Sequence, residues 1–164
     1  MIFLGKKNGH DRIVLGILLG FSVGALNIIR LKNNRLKDVN KKEDKYRLYY
    51  KVLNKWLKIK NDGKSLSLYF SNNNINKIAI YGMGELGNRL YEELKNNEDI
   101  LVIGGIDKDV DKTAEIKIYS LDETLPEIDA IIVTAIFEFD EIKNKLERVT
   151  NASILSIEDI VFRI

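Results

Sequence analysis

The sequence predicts an α/β fold: a small doubly wound parallel sheet over residues 76–164, preceded by a transmembrane helix and a basic amphipathic helix. Three observations carry this. One is a 17-residue run without a charge near the N-terminus, Ile13 to Ile29. Another is a lysine-rich stretch in which aromatics recur every three or four residues. The last is a C-terminal alternation of β-favouring and helix-periodic segments with three glycines at its first turn.

The first element spans residues 13–31, after a short segment at 1–12. Its apolar part, "IVLGILLGFSVGALNII", covers roughly 25 Å at a helical rise, just under a hydrocarbon core about 30 Å thick, and Arg12 and Arg30 can snorkel to its ends. Gly16, Gly20 and Gly24 line one face, where a second copy can approach closely, so a homodimer is expected through them. A cleaved signal peptide and a buried helix are the competing readings. No small-x-small cleavage site follows the run, and its glycines weaken a helix in water, which favours the anchor.

Charge sets the orientation. Residues 30–60 hold 12 basic and 3 acidic residues, net +9, whereas residues 1–29 are +2 and residues 61–164 carry 11 basic and 20 acidic residues, net −9. The excess of Lys and Arg after the span predicts a single-pass protein of the cell membrane with its C-terminal domain in the cytoplasm. The basic collar is expected to meet anionic membrane lipid. The acidic C-terminal part argues against nucleic acid as a partner.

Residues 32–75 form the second element. Tyr46, Tyr49, Tyr50, Leu53, Trp56 and Leu57 recur at helical spacing with Lys51, Lys55 and Lys58 opposite, which predicts an amphipathic helix whose aromatic stripe docks on its own domain. Asn61 to Gly63 ends it. The chain has no cysteine and a single histidine, His10, which excludes disulfides and thiolate zinc sites and leaves the C-terminal domain without a histidine base.

"KIAIYG" reads as the first strand and "ELGNRLYEELKNN" as a helix with Leu86, Leu90, Tyr91 and Leu94 on one face. Between them Gly82, Gly84 and Gly87 fit G-x-G-x-x-G in the strand-turn-helix context that a dinucleotide site requires. "ILVIGGID" is the second strand. It ends in Asp107, where an acid bonding a ribose hydroxyl is expected, with Lys108 beside it. "IKIYS" is a short strand, "LDETLPEI" a turn of helix, "DAIIVTA" a buried strand, "FDEIKNKLERV" an amphipathic helix, and "ASILSIEDIVF" a last strand and terminal turn. A ligand is then expected above the carboxyl ends of the first and fourth strands, against Gly82, Met83, Gly84, Glu85, Leu86, Gly87, Asp107, Lys108, Thr134 and Ala135. Glu85 opposes a bound phosphate electrostatically; as a first-turn acid four residues before Arg89, it is expected to pair with that guanidinium.

The segments "IAIYGMGELGNRLYEEL", "GID" and "DAIIVTAIFEFDEI" resemble the small Rossmann-like modules of bacterial capsule and cell-surface polysaccharide biosynthesis proteins, over about Tyr46 to Ile164. The resemblance implies a half-Rossmann sheet, NAD or a nucleotide-sugar as ligand at Gly82, Gly84, Gly87 and Asp107, and a polysaccharide-biosynthesis enzyme as partner. Within these 164 residues no fused catalytic domain is expected beside the module. Tyr91 and Lys95 spell Y-x-x-x-K, but on the helix after the glycine turn they read as a packing residue and a solvated one. "DKDVDK" lacks the glycine and glutamate of a calcium loop and reads as solvated. No serine, histidine and acid set assembles. The expected function is an accessory nucleotide-binding module without catalysis of its own. The alternatives are a ligand-free interaction scaffold, or an oxidoreductase or epimerase completed by a partner chain.

Overall fold

The computed structural model describes residues 9–107, 115–120 and 123–164, and for residues 9–28 the backbone only. The elements are α1 (Gly9–Asn61), α2 (Ser67–Asn72), β1 (Lys77–Tyr81), α3 (Glu85–Leu94), β2 (Leu101–Ile106), β3 (Ile118–Tyr119), β4 (Ala130–Val133), a 3-10 turn (Ile136–Glu138), α4 (Phe139–Leu146), β5 (Ser153–Ser156) and α5 (Ile157–Arg163). The chain divides into two compact units, Met1–Arg47 and Leu48–Ile164.

In the first unit, Leu31, Leu36 and Val39 of α1 are exposed. Among the described residues no helix is long and apolar enough to cross a membrane. Of the predicted span at 13–31, residues 13–28 are described by their helical backbone alone, so the side chains of that stretch, and what Gly16, Gly20 and Gly24 meet, lie outside the description.

The second unit is built on a five-stranded sheet in the order β3-β2-β1-β4-β5 with every neighbouring pair parallel. This is the α/β class predicted, and the order is consistent with a half-Rossmann sheet. Alternation along the central strands explains its two layers. Ile78 and Ile80 of β1 and Ala130 and Ile132 of β4 point to one face, with Leu86, Leu90 and Leu94 of α3, Phe70 of α2 and Ile157, Ile160 and Val161 of α5. Ala79, Tyr81, Ile131 and Val133 point to the other, against Ile142 and Leu146 of α4. Strands buried on both faces leave no polar positions, so β1 and β4 read as unbroken apolar runs.

Two sequence expectations are corrected. The segment "LDETLPEI" forms no helix over its described residues 123–128; Pro126 bars its predecessor from helical geometry, and Glu123 instead turns back onto Ser120 through both N–H groups. The aromatic stripe of α1 does not dock as one face. Trp56 is buried together with Val52 and Ile59, and Tyr49 packs beside them, whereas Tyr46, Tyr50, Leu53 and Leu57 are exposed. Two apolar ridges run side by side on this helix, and among the described residues one of them meets the domain.

Glu93 fastens that ridge. Its side chain is only 5% exposed and takes hydrogen bonds from the Trp56 indole Nε1 at 2.6 Å, the Ser65 hydroxyl at 2.8 Å and the Leu66 N–H at 2.8 Å, with the Lys60 ammonium at 3.5 Å. One carboxylate thus joins α3 to α1 and to the start of α2. Glu93→Ala strands three donors and is expected to cost about 3 kcal/mol in urea unfolding, with Glu93→Gln costing less because it keeps one acceptor.

Asp129 does the same for the sheet, accepting the N–H groups of Asn76 and Lys77, both at 2.8 Å, where β1 begins. The hydrogen bonds from Lys77 and Asn76 hold its carboxyl below the ordinary value. A depressed folded-state value contributes stability above the unfolded pKa, and that contribution is lost as pH falls through the folded one. Asp129→Asn should therefore be less stable than the parent at neutral pH, and the gap should close below about pH 4 in a series of denaturation curves.

Candidate functional site

The turn from β1 into α3 is set by two glycines. Gly82 has φ +90°, and a Cβ there would also press on the Thr134 hydroxyl at 3.1 Å. Gly87 lies against the Gly82 carbonyl, closer than any Cβ could come. The Gly82 N–H donates to the Ile106 carbonyl at 2.8 Å, which fixes the turn to the end of β2.

Thr134, at the end of β4, is spent on the same turn. Its hydroxyl donates to the Gly82 carbonyl at 2.5 Å, and its N–H donates to the Tyr81 carbonyl at 3.0 Å. It is a buried brace between the two central strands rather than a ligand-facing group.

Gly84 differs from the other two. It is exposed, a Cβ there meets nothing within 4 Å, and as N-cap of α3 it offers no side-chain bond to the first turn. Space therefore lies in front of the helix N-terminus. The Met83 N–H points elsewhere, donating to Asp107 Oδ2 at 2.8 Å. Asp107 thus ties the turn to the end of β2 while lining the adjoining cavity.

That cavity, about 360 Å³, opens at the carboxyl ends of β1 and β4 and is lined by Tyr81, Gly82, Asp107, Ala135, Glu138, Glu141, Ile142 and Lys145. Among its described lining residues three carboxylates outnumber one ammonium, and Lys145 is paired with Glu141 at 2.5 Å. The hydrogen bond that Lys145 donates to Glu141, and the charge of that carboxylate, hold the Lys145 pKa above the ordinary value. Burial pushes the Tyr81 hydroxyl up, with Lys145 opposing and Asp107 and Glu141 reinforcing. Tyr81 is therefore a protonated phenol across the neutral range, a neutral lining group in an acid-rich wall.

The ten predicted site residues separate accordingly. Gly82, Asp107 and Ala135 line the cavity, and Gly84 and Glu85 are exposed at the helix start. Met83, Leu86 and Gly87 are buried; Met83 packs on Gly105 of β2. Lys108 lies outside the described residues, as do Asp109 and Asp111. The expected pairing of Glu85 with Arg89 is not formed, because Arg89 bonds Glu92 at 2.7 Å. Glu138, Glu141 and Lys145 were not anticipated. Their three- and four-residue spacing on the helix after β4 was the available signal, since a switch-point crevice is walled by the helices following both central strands.

A larger hollow of about 800 Å³ lies at the amino ends of β4 and β5, bordered by Pro126, Asp129, Val149 and Asn151. It has no glycine turn, and Asp129 is committed to β1, so the smaller cavity is the candidate site. Among the described residues no group of side chains is arranged to hold a metal ion.

Residues 74–154 match the family described as C2185-like, N-terminal. The matched region runs from just before β1 into β5 and so contains the turn, Asp107 and the cavity. No curated protein and no solved structure matches the chain.

The glycines predict different costs of substitution. Gly82→Ala and Gly87→Ala should each lower the unfolding free energy by roughly 2 kcal/mol or more, from strain and from displacement of α3. Gly84→Ala should stay within about 0.5 kcal/mol of the parent, as thermal unfolding will show.

Proposed function

We propose that this protein is a membrane-anchored accessory module whose C-terminal domain binds NAD or a nucleotide-sugar in the cytoplasm, in the service of cell-surface polysaccharide assembly. The observation that supports this best is Gly84. The turn needs glycine at 82 and 87 for its own geometry, but at 84 a side chain would be accommodated, and a glycine there keeps the approach to the α3 N-terminus clear. The phosphates belong at that N-terminus. The sugar hydroxyls belong against Asp107 and Glu138, because carboxylates accept hydroxyl hydrogen bonds and the cavity is lined by them. The anchor is carried by the uncharged run at 13–29 and the +9 collar after it.

A ligand-free scaffold is the second reading, and the charge of the cavity favours it. A pyrophosphate would sit near Asp107, Glu138 and Glu141, each a repulsion of roughly 1 kcal/mol or more at short range.

Calorimetric titration of the full chain with NAD, NADH and UDP-glucose distinguishes the two. The nucleotide reading expects saturable binding to at least one of them and a loss of tenfold or more in Gly84→Val, which keeps its melting temperature. No heat with any of them at millimolar concentration would leave the scaffold.

A further inference from the structure

Tyr81 closes β1 with a hydroxyl that the protein itself does not use. The residue is only 7% exposed, and its ring belongs to the core on the α4 face of the sheet, with Ile131, Ile142 and Leu146. Its oxygen makes no hydrogen bond among the described residues, although no sealed side-chain oxygen or nitrogen there lacks one. The oxygen therefore opens into the cavity that Tyr81 lines, within the fields of Lys145, Asp107 and Glu141 of the same cavity. A phenol so far out of water is costly unless its hydroxyl is paired, and the cavity is the one direction from which a partner can come.

Depth sorts the rest of the lining. Ile142 is buried and Ala135 half-buried, whereas Glu138, Glu141 and Lys145 are exposed at the mouth. The floor is thus an apolar surface with one neutral polar atom, and the mouth carries a net negative charge. The volume, about 360 Å³, is near the lower end of the range of ligand pockets, about 300 to 1,000 Å³, so the cavity holds a single ring and not a whole nucleotide conjugate.

We infer that this cavity is the subsite for an uncharged, hydroxyl-bearing sugar ring, and that the Tyr81 hydroxyl is the group at its floor which the ring touches. The inference rests on the nucleotide-sugar reading above and narrows it. A phenol both donates and accepts a hydrogen bond, as a sugar hydroxyl does, so each satisfies the other, while Ala135 and Ile142 offer an apolar wall to the C–H groups of the ring. Gly82 and Asp107 belong to the glycine turn and to the cavity alike, so a ring held here stays joined to phosphates at the α3 N-terminus. A hexuronate brings a carboxylate to a mouth that already carries Glu138 and Glu141, and that repulsion selects the neutral hexose.

Tyr81→Phe isolates the hydroxyl. Because no described group of the protein bonds it, the variant should keep the melting temperature of the parent, whereas calorimetric titration of the full-length chain should show UDP-glucose binding weakened about tenfold and UDP binding unchanged. The parent should bind UDP-glucuronate about tenfold more weakly than UDP-glucose, and Glu138→Gln should narrow that gap. A lower melting temperature or an unchanged UDP-glucose affinity in Tyr81→Phe would overturn the inference, as would UDP-glucuronate binding as tightly as UDP-glucose. Saturable binding of NAD without binding of UDP-glucose would overturn it too, and in each of these cases the nucleotide reading stands. No heat with NAD, UDP or either UDP-sugar at millimolar concentration would remove both.

Discussion

The contact between Gly87 and the Gly82 carbonyl is the constraint on which the second unit depends. It lets α3 rest directly on the end of β1, closer than any other residue would permit. That placement turns Leu86, Leu90 and Leu94 onto the sheet and carries Glu93 to the far end of the helix, where it meets Trp56, Ser65 and Leu66. The same placement leaves Gly84 uncovered at the near end. Packing, docking of α1 and access to the candidate site all follow from one close approach.

The site itself is a compromise between an anion-friendly helix start and an acid-rich wall. Gly84 and the uncapped first turn of α3 attract negative charge, while Asp107, Glu138 and Glu141 repel it. A ligand with a charged end and a hydroxyl-rich end satisfies both halves; a plain polyanion satisfies one. Asp107 serves on both sides of this balance, because the bond from the Met83 N–H keeps its carboxylate where the turn and the cavity meet.

Helix α1 carries two apolar ridges with different destinations. Val52, Trp56 and Ile59 are covered by the domain of the same chain, and Glu93 holds them there. The exposed ridge beside them has no cover among the described residues. A helix bound to its domain through one ridge and offered outward through the next links the α/β unit to whatever the second ridge meets. Glu93, on the helix that starts at the glycine turn, ties that helix to α1 through Trp56.

The sequence by itself determined the class of fold, the strands β1, β2 and β4, the helices α3 and α4, and the glycine turn. These depend on local periodicity and on backbone conformations only glycine takes up readily, both of which are readable within a short window. It also placed Asp107 at the end of β2, and the structure added its bond from the Met83 N–H of the turn. Only the tertiary structure decided that Thr134 is a brace, that Arg89 prefers Glu92 to Glu85, that Glu138, Glu141 and Lys145 wall the cavity, and which ridge of α1 is buried. The bond from Thr134 to Gly82 spans 52 positions and that from Ser65 to Glu93 spans 28. Such partners are chosen by the packing of elements distant in the chain, and periodicity assigns a residue to a face of its helix without saying what that face will meet.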